Sequence, residues 1–171
     1  LEFRRVLFRS VRLAKALTDP VSAASSVRLA GNAITFDDLP KLGTPAKVVV
    51  RNPLPRFEME SVELSNGVRA LLFPNKSESG QVRVLVRFGR GYQAVDPAKG
   101  ALFWSGPGII SESGIGKYNR TQIDQLINGR RIELGFNVDN DAFEYTATTR
   151  PEDLTDQLRL IAVKMENPNW D

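Results

Sequence analysis

The sequence contains neither cysteine nor histidine among its 171 residues. Without cysteine there is no disulfide, no thiolate metal ligand and no cysteine nucleophile. Without histidine the chain lacks the commonest general base, the commonest zinc ligand and every Ser-His or Cys-His machine. No apolar run approaches the roughly 18 residues that cross a bilayer. Nor does one charge sign dominate. The formal net charge is +3, and it falls to +1 once the first ten residues, with Arg4, Arg5 and Arg9 against Glu2, are set aside. What is present is an ordinary globular composition, 42% hydrophobic and 25% charged, enough for one domain or a domain plus a linker. The missing chemistry argues against a stand-alone enzyme.

Residues Leu1 to Ser10 resemble the in-frame translation of a common sequencing adapter, which makes them a scar to leave out of fold reasoning. The alternative is a basic amphipathic anchor for membrane or nucleic acid. A scar also implies a chain read from a fragment. Residues 11–60 read as weakly structured. Leu13, Ala16 and Leu17 mark the end of a helix before Asp19-Pro20. Half of the ten prolines fall between Pro20 and Pro55, and each biases its predecessor toward extended geometry. Residues 31–57 are therefore expected to be an extended connector with one edge strand at Val48-Val49-Val50. Ile34, Phe36, Leu39 and Leu42 argue that it packs on something.

From Ser61 the pattern sharpens. Asn66-Gly67 between apolar runs signals a hairpin turn, since both residues tolerate positive φ. Val82, Val84, Val86 and Phe88 alternate as a half-buried strand. Asn119 to Asn128 reads as a helix, with Asn119 and Gln122 as a capping pair and Gly129 as its stop. Ile132, Leu134, Phe136 and Val138, then Phe143, Tyr145 and Ala147, alternate about the turn Asp139-Asn140-Asp141, which predicts a second hairpin. The spacing predicts a last helix over 151–166, with Leu154, Leu158, Ile161 and Met165 as its apolar stripe. The order is strand, strand, strand, a helical or loop region, helix, hairpin, helix. That is an α+β layer with a mostly antiparallel sheet packed with helices.

Candidate chemistry is thin. Seven of the thirteen glycines lie between Gly89 and Gly116. The stretch fits neither a P-loop, because Ser111 and Tyr118 stand where Gly and Ser or Thr are needed, nor a dinucleotide fingerprint, because position 94 is Ala. Tight turns and close packing are the expected use. Asp139, Asp141 and Glu144 could suggest calcium, but the loop lacks the glycine and distal Glu of an EF-hand, so a polar hairpin turn is expected. No S-x-x-K spacing offers a Ser-Lys pair. Arg87 to Arg90 and Arg130-Arg131 read as solvated basic spots, with no nucleic-acid site.

An ordered series of features nevertheless resembles the insulinase (pitrilysin) family of zinc metallopeptidases. Val62 to Arg69 is similar to that family's opening L-x-N-G-[LV]-[RK] hairpin. Val82 to Gly91 is similar to its second strand. Gly114-Ile115-Gly116 followed by Asn119 to Leu126 is similar to its glycine-then-helix step. The hairpin and the 151–166 helix, closing in Asn167-Pro168-x-Trp170, follow in the family's order. Active members carry H-x-x-E-H on the helix after the second strand, two histidines binding zinc and the Glu serving as base. Placing Gly100 at the glycine before that motif puts Phe103, Gly106 and Pro107 where His, Glu and His would stand. None can ligate a metal or accept a proton, and Pro107 makes a regular helix there doubtful. No catalytic, cofactor-binding or metal-ligating residue is therefore carried over.

The resemblance implies the second, non-catalytic unit of a bacterial zinc endopeptidase. Such a unit helps enclose peptide substrates, and the resemblance implies zinc bound by an upstream half in the same chain. Residues 1–10 would be the scar, 11–60 the end of the preceding unit and its linker, and 61–171 the N-terminal part of the inactive unit, incomplete at its C-terminus. The rivals are a structural or scaffolding subunit, and a separate inactive chain partnering an active protease. The resemblance favours the periplasm or cell envelope.

Overall fold

The computed structural model of the chain describes residues 34–169, all within the unit Ile34–Asp171. The expectations for residues 1–10, for the helix end at Leu13 to Leu17 and for Trp170 lie outside the described residues. A 3-10 turn at Phe36–Asp38 precedes strand β1 (Val48–Leu54), β2 (Met59–Leu64) and β3 (Arg69–Leu72). Next come β4 (Val82–Phe88), helix α1 (Ala101–Glu112), β5 (Gly114–Ile115) and helix α2 (Arg120–Ile127). The hairpin β6 (Gly135–Val138) and β7 (Phe143–Thr149), helix α3 (Leu154–Glu166) and the two-residue β8 (Pro168–Asn169) complete the order. All strand pairings are antiparallel: β1-β2-β3, β4-β7-β6 and β5-β8. The fold is α+β, as the pattern implied.

The edge strand expected at Val48–Val50 is longer than expected, and it pairs with β2 across residue 60. Pro53 sits within it, which an outer strand tolerates because its missing N–H costs no ladder bond on the free side. The Asn-Gly turn joins β2 to β3, with Leu64 N–H donating to the Val68 carbonyl (2.8 Å). Strand β4 alternates half-buried and exposed residues along its whole length. Its inward face meets that of β7 and β6 in a cluster of Phe88, Phe136, Phe143 and Tyr145, with ring centroids 5.0–6.5 Å apart, the spacing of favourable aromatic pairs. The second cluster gathers Leu39, Ile115, Ile123, Leu126, Ile132, Leu160 and Val163, with Ile34 and Phe36 against it. The connector therefore does pack on something, through Ile34, Phe36 and Leu39, whereas Leu42 is exposed.

Two expectations are corrected. First, α1 runs through Pro107. Proline removes one helical hydrogen bond and crowds the residue before it. Here that residue is Gly106, which has no Cβ to clash. Second, the buried face of α3 follows the predicted stripe only in part, with Ile161 buried and Leu154 half-buried as expected. Leu158 and Met165 are 45% and 41% exposed, while the buried residues are Gln157, Leu160, Ile161, Val163 and Lys164. Spacings of three and four still define the face, but two of its members are polar.

Gln157 also explains why β6 is shorter than the predicted 132–138 run. Before Gly135 the chain gains its hydrogen bonds from side chains. Thr149 Oγ1 donates to the Arg131 carbonyl (2.7 Å), and Arg131 N–H donates to Asp153 Oδ2 (2.9 Å). Glu133 N–H donates to Gln157 Oε1 (2.9 Å), and Gln157 Nε2 donates to the Glu133 carbonyl (2.6 Å). Four backbone groups are thus satisfied without a ladder. The Arg131 N–H and the Arg150 guanidinium hold the Asp153 carboxyl below its usual range. Its contribution to stability is complete above the ordinary Asp pKa and fades as pH falls through the lowered one.

Candidate functional site

The capping pair predicted at the start of α2 is present, with Gln122 N–H donating to Asn119 Oδ1 and Asn119 N–H to Gln122 Oε1, both 3.0 Å. The pair sets α2 immediately after the tight β5 turn, which brings Arg120 beside the end of α1. Within α1, Phe103, Gly106 and Pro107 occupy the third, sixth and seventh residues. The spacing is that of a two-histidine, one-glutamate set, but the residue types supply no metal donor and no base. They do not fit a zinc ion. Among the described residues no group of three or more carboxylates gathers to hold one elsewhere.

Asp139, Asp141 and Glu144, the residues that suggested calcium, converge on one arginine. Arg87 Nη2 lies 3.2 Å from Asp139 and 2.7 Å from Asp141, and its Nε lies 3.0 Å from Glu144. Their geometry is that of an ion-paired hairpin turn. Arg87 is exposed, as expected of a solvated basic spot, and it is paired rather than free. Arg130 is likewise exposed but paired, with Asp156, and lies over the Phe36 ring at 4.8 Å.

The glycine-rich stretch is used for close approach. Gly91 is buried with φ +51°, and a Cβ there would lie 2.1 Å from the Asp139 carbonyl oxygen and 2.6 Å from the Ala142 nitrogen. The adjacent Tyr92 N–H donates to that same carbonyl (3.0 Å). The chain after β4 thus lies directly on the β6–β7 turn.

The least expected group is Lys164. Its side chain is 1% exposed. Its Nζ donates to the Ser113 carbonyl at 2.7 Å and reaches the Ser111 carbonyl at 3.5 Å. Arg120 Nη1 donates to the same Ser111 carbonyl at 2.6 Å. Two cations therefore meet the last carbonyls of α1, where the helix dipole is negative. Burial lowers the Lys164 pKa from 10.5 to about 8, and Arg120 adds to the effect. Lysine and serines are close here, but the hydroxyls are committed to backbone. Ser113 Oγ donates to the Ile110 carbonyl (2.9 Å), and Ser111 Oγ accepts from Phe136 N–H (3.1 Å). Neither serine is set up as a nucleophile. Sequence reasoning passed over Lys164 because a lysine near a helix end normally reads as solvated.

No protein-family model matches the chain, and no curated protein sequence does. Solved structures do share its fold. The periplasmic protease PqqL from Escherichia coli superposes with a TM-score of 0.68 over 77% of this chain and 14% of that one, at 15% identity. A variant of the ferredoxin protease FusC, in complex with Arabidopsis ferredoxin, gives a TM-score of 0.68 over 88% of this chain and 17% of that one, at 17% identity. The chain spans about a sixth of the length of these structures. At such identities the likeness is one of fold.

Proposed function

We propose that this chain is part of the non-catalytic half of a bacterial zinc-dependent endopeptidase of the insulinase family, and that it helps enclose peptide substrates. The observation that supports this reading is a fold shared with two proteases, and the sequence resemblance adds that Phe103, Gly106 and Pro107 of α1 align with the family's metal ligands and base. Zinc would be held by an upstream half, in the same chain, and the periplasm or cell envelope is the proposed site of action. The outer strands β3 and β4 and the apolar side chains near them supply a wall suited to an extended peptide.

After dialysis the purified chain is expected to hold far less than one zinc by elemental analysis, and to cleave no peptide. One tightly held zinc per chain, or peptidase activity, would overturn the reading. The full reading frame is expected to encode an upstream H-x-x-E-H. Its absence would favour the scaffolding alternative.

A second expectation concerns uncovered apolar surface. Leu71, Leu72, Phe73, Leu85, Ile109, Leu158 and Met165 are all exposed. Burying such a side chain is worth about 1.5–3 kcal/mol, and a part of a larger unit would bury several of them against its remainder. The isolated chain is expected to bind a hydrophobic dye and self-associate, and extension by its natural continuation to abolish both. A monomeric, dye-negative, cooperatively folding chain would show that nothing further is needed to cover these residues.

A further inference from the structure

The three best-defined features outside the proposed role are the Arg87 carboxylate cluster, the exposed apolar side of α3, and the buried Lys164. The first is three carboxylates tied by one arginine, with nothing beside them that points to a ligand. The second carries no mark of what covers it. The third has a physical consequence of its own, which does not depend on the proposed function.

Helix α1 is held at one end and loosened in the middle. Its start at Gly100 has no side-chain cap. Pro107 has no N–H to donate, and a Cβ at Gly106 or Gly108 would meet nothing within 4 Å. The run Gly106-Pro107-Gly108 is therefore short of both helical hydrogen bonding and side-chain packing, which is the composition of a hinge. The C-terminal turn, by contrast, is tied to three other elements. Ser111 Oγ binds the β6 backbone, Arg120 of α2 binds the Ser111 carbonyl, and Lys164 of α3 binds the Ser113 carbonyl. Of these ties only the one from Lys164 is buried and titratable.

The charged groups facing Lys164 are Arg120 on α2, which repels it, and Glu112 on α1, which attracts it. Glu112 lies 3.6 Å from Arg120, and Asp124 holds Arg120 at 2.8 Å. No carboxylate is within ion-pairing distance of Lys164 itself among the described residues. An ammonium buried without a counter-ion is penalised relative to water far more than the neutral amine.

We propose that Lys164 is a pH-sensitive latch on the C-terminal turn of α1, tightening as pH rises and loosening as it falls. The sign follows from linkage. When the turn opens, Lys164 reaches water and regains an ordinary proton affinity, so the open form binds more protons than the closed form between the two pKa values. Raising the pH through that window favours closure. Lowering it favours opening. The folded-state pKa of about 8 against 10.5 defines the window. It implies that the opening equilibrium constant falls by roughly tenfold or more between pH 7 and 9.5.

The test uses the full chain. Pulse-labelled hydrogen exchange at the amides of Ile109 to Ser113 is measured from pH 6.5 to 9.5, each rate divided by that of an unstructured peptide. Wild-type protection is expected to rise by that factor. Lys164→Arg keeps a permanent charge and should show no such rise. Lys164→Met has no charge to lose and should be equally flat. Should the methionine variant fail to fold, the Lys164 Cε resonance of the wild type decides: a folded-state titration midpoint near 8 supports the latch. A midpoint near 10.5, pH-independent wild-type protection, or the same rise in Lys164→Arg would overturn it.

Discussion

Replacing Gln157 by leucine is expected to destabilise the protein by about 3 kcal/mol, although it makes α3 more hydrophobic. Gln157 is fully buried, and its amide group satisfies both the N–H and the carbonyl of Glu133. Leucine has nearly the same volume and neither hydrogen-bonding function. Each backbone group orphaned against that buried side chain costs about 1–3 kcal/mol, and no ladder partner is available because β6 begins only at Gly135. The reciprocal change, Leu158→Gln, should fall within about 0.5 kcal/mol of neutral, as exposed substitutions do. Denaturant unfolding of the two variants checks both. A neutral Gln157→Leu together with a costly Leu158→Gln would restore the stripe that the sequence predicts and refute the observed face.

This pair marks where the fold is legible in the sequence and where it is not. The Asn66-Gly67 turn, the alternation in β4, the Asn119–Gln122 cap and the β6–β7 hairpin are each written in a few adjacent residues, so local chemistry predicts them. The face of α3 is not local. Leu154, Leu158 and Met165 compete with Gln157 and Lys164 for the interior, and hydrophobicity alone awards it to the leucines. What reverses the outcome is the demand of distant backbone groups at Glu133 and Ser113 for polar partners, which no periodicity encodes. The ion pairs of exposed Arg87 and Arg130 are non-local in the same way: their partners, Asp139, Asp141 and Asp156, lie 26 to 54 positions away. For the site, the lack of donor groups at Phe103, Gly106 and Pro107 could be read directly, whereas the helical path through Pro107 depended on Gly106 relieving the clash.

Gly91→Ala is expected to have an effect of similar or larger size. The new Cβ would stand 2.1 Å from the Asp139 carbonyl oxygen and 2.6 Å from the Ala142 nitrogen. Both are backbone atoms of a hairpin turn and cannot rotate away. The left-handed φ adds roughly 1–2 kcal/mol for any residue with a Cβ, and forced overpacking adds about 1–3 kcal/mol or more. The total is about 3 kcal/mol or above, a drop in melting temperature on the order of 10 °C for a unit of this size. Gly43→Ala is the control, because a Cβ there meets nothing within 4 Å. If Gly91→Ala melts within a degree or two of wild type while folding normally, the segment after β4 does not rest on the β6–β7 turn as described.

The pairing of β4 with β7 bears on the order in which the molecule assembles. Val138 and Phe143, facing each other in the hairpin, are 5 residues apart. The β4 partners, from Phe88–Phe143 to Val82–Thr149, are 55 to 67 apart. Closing the longer loop costs more chain entropy, growing with the logarithm of its length. The β6–β7 hairpin is therefore the early, local event, and β4 joins a surface already half built. Everything between them, including α1 and α2, is enclosed by that late closure. A nascent chain cannot complete this sheet until residue 149 has emerged, so β4 waits with its apolar face uncovered while more than fifty further residues are synthesised.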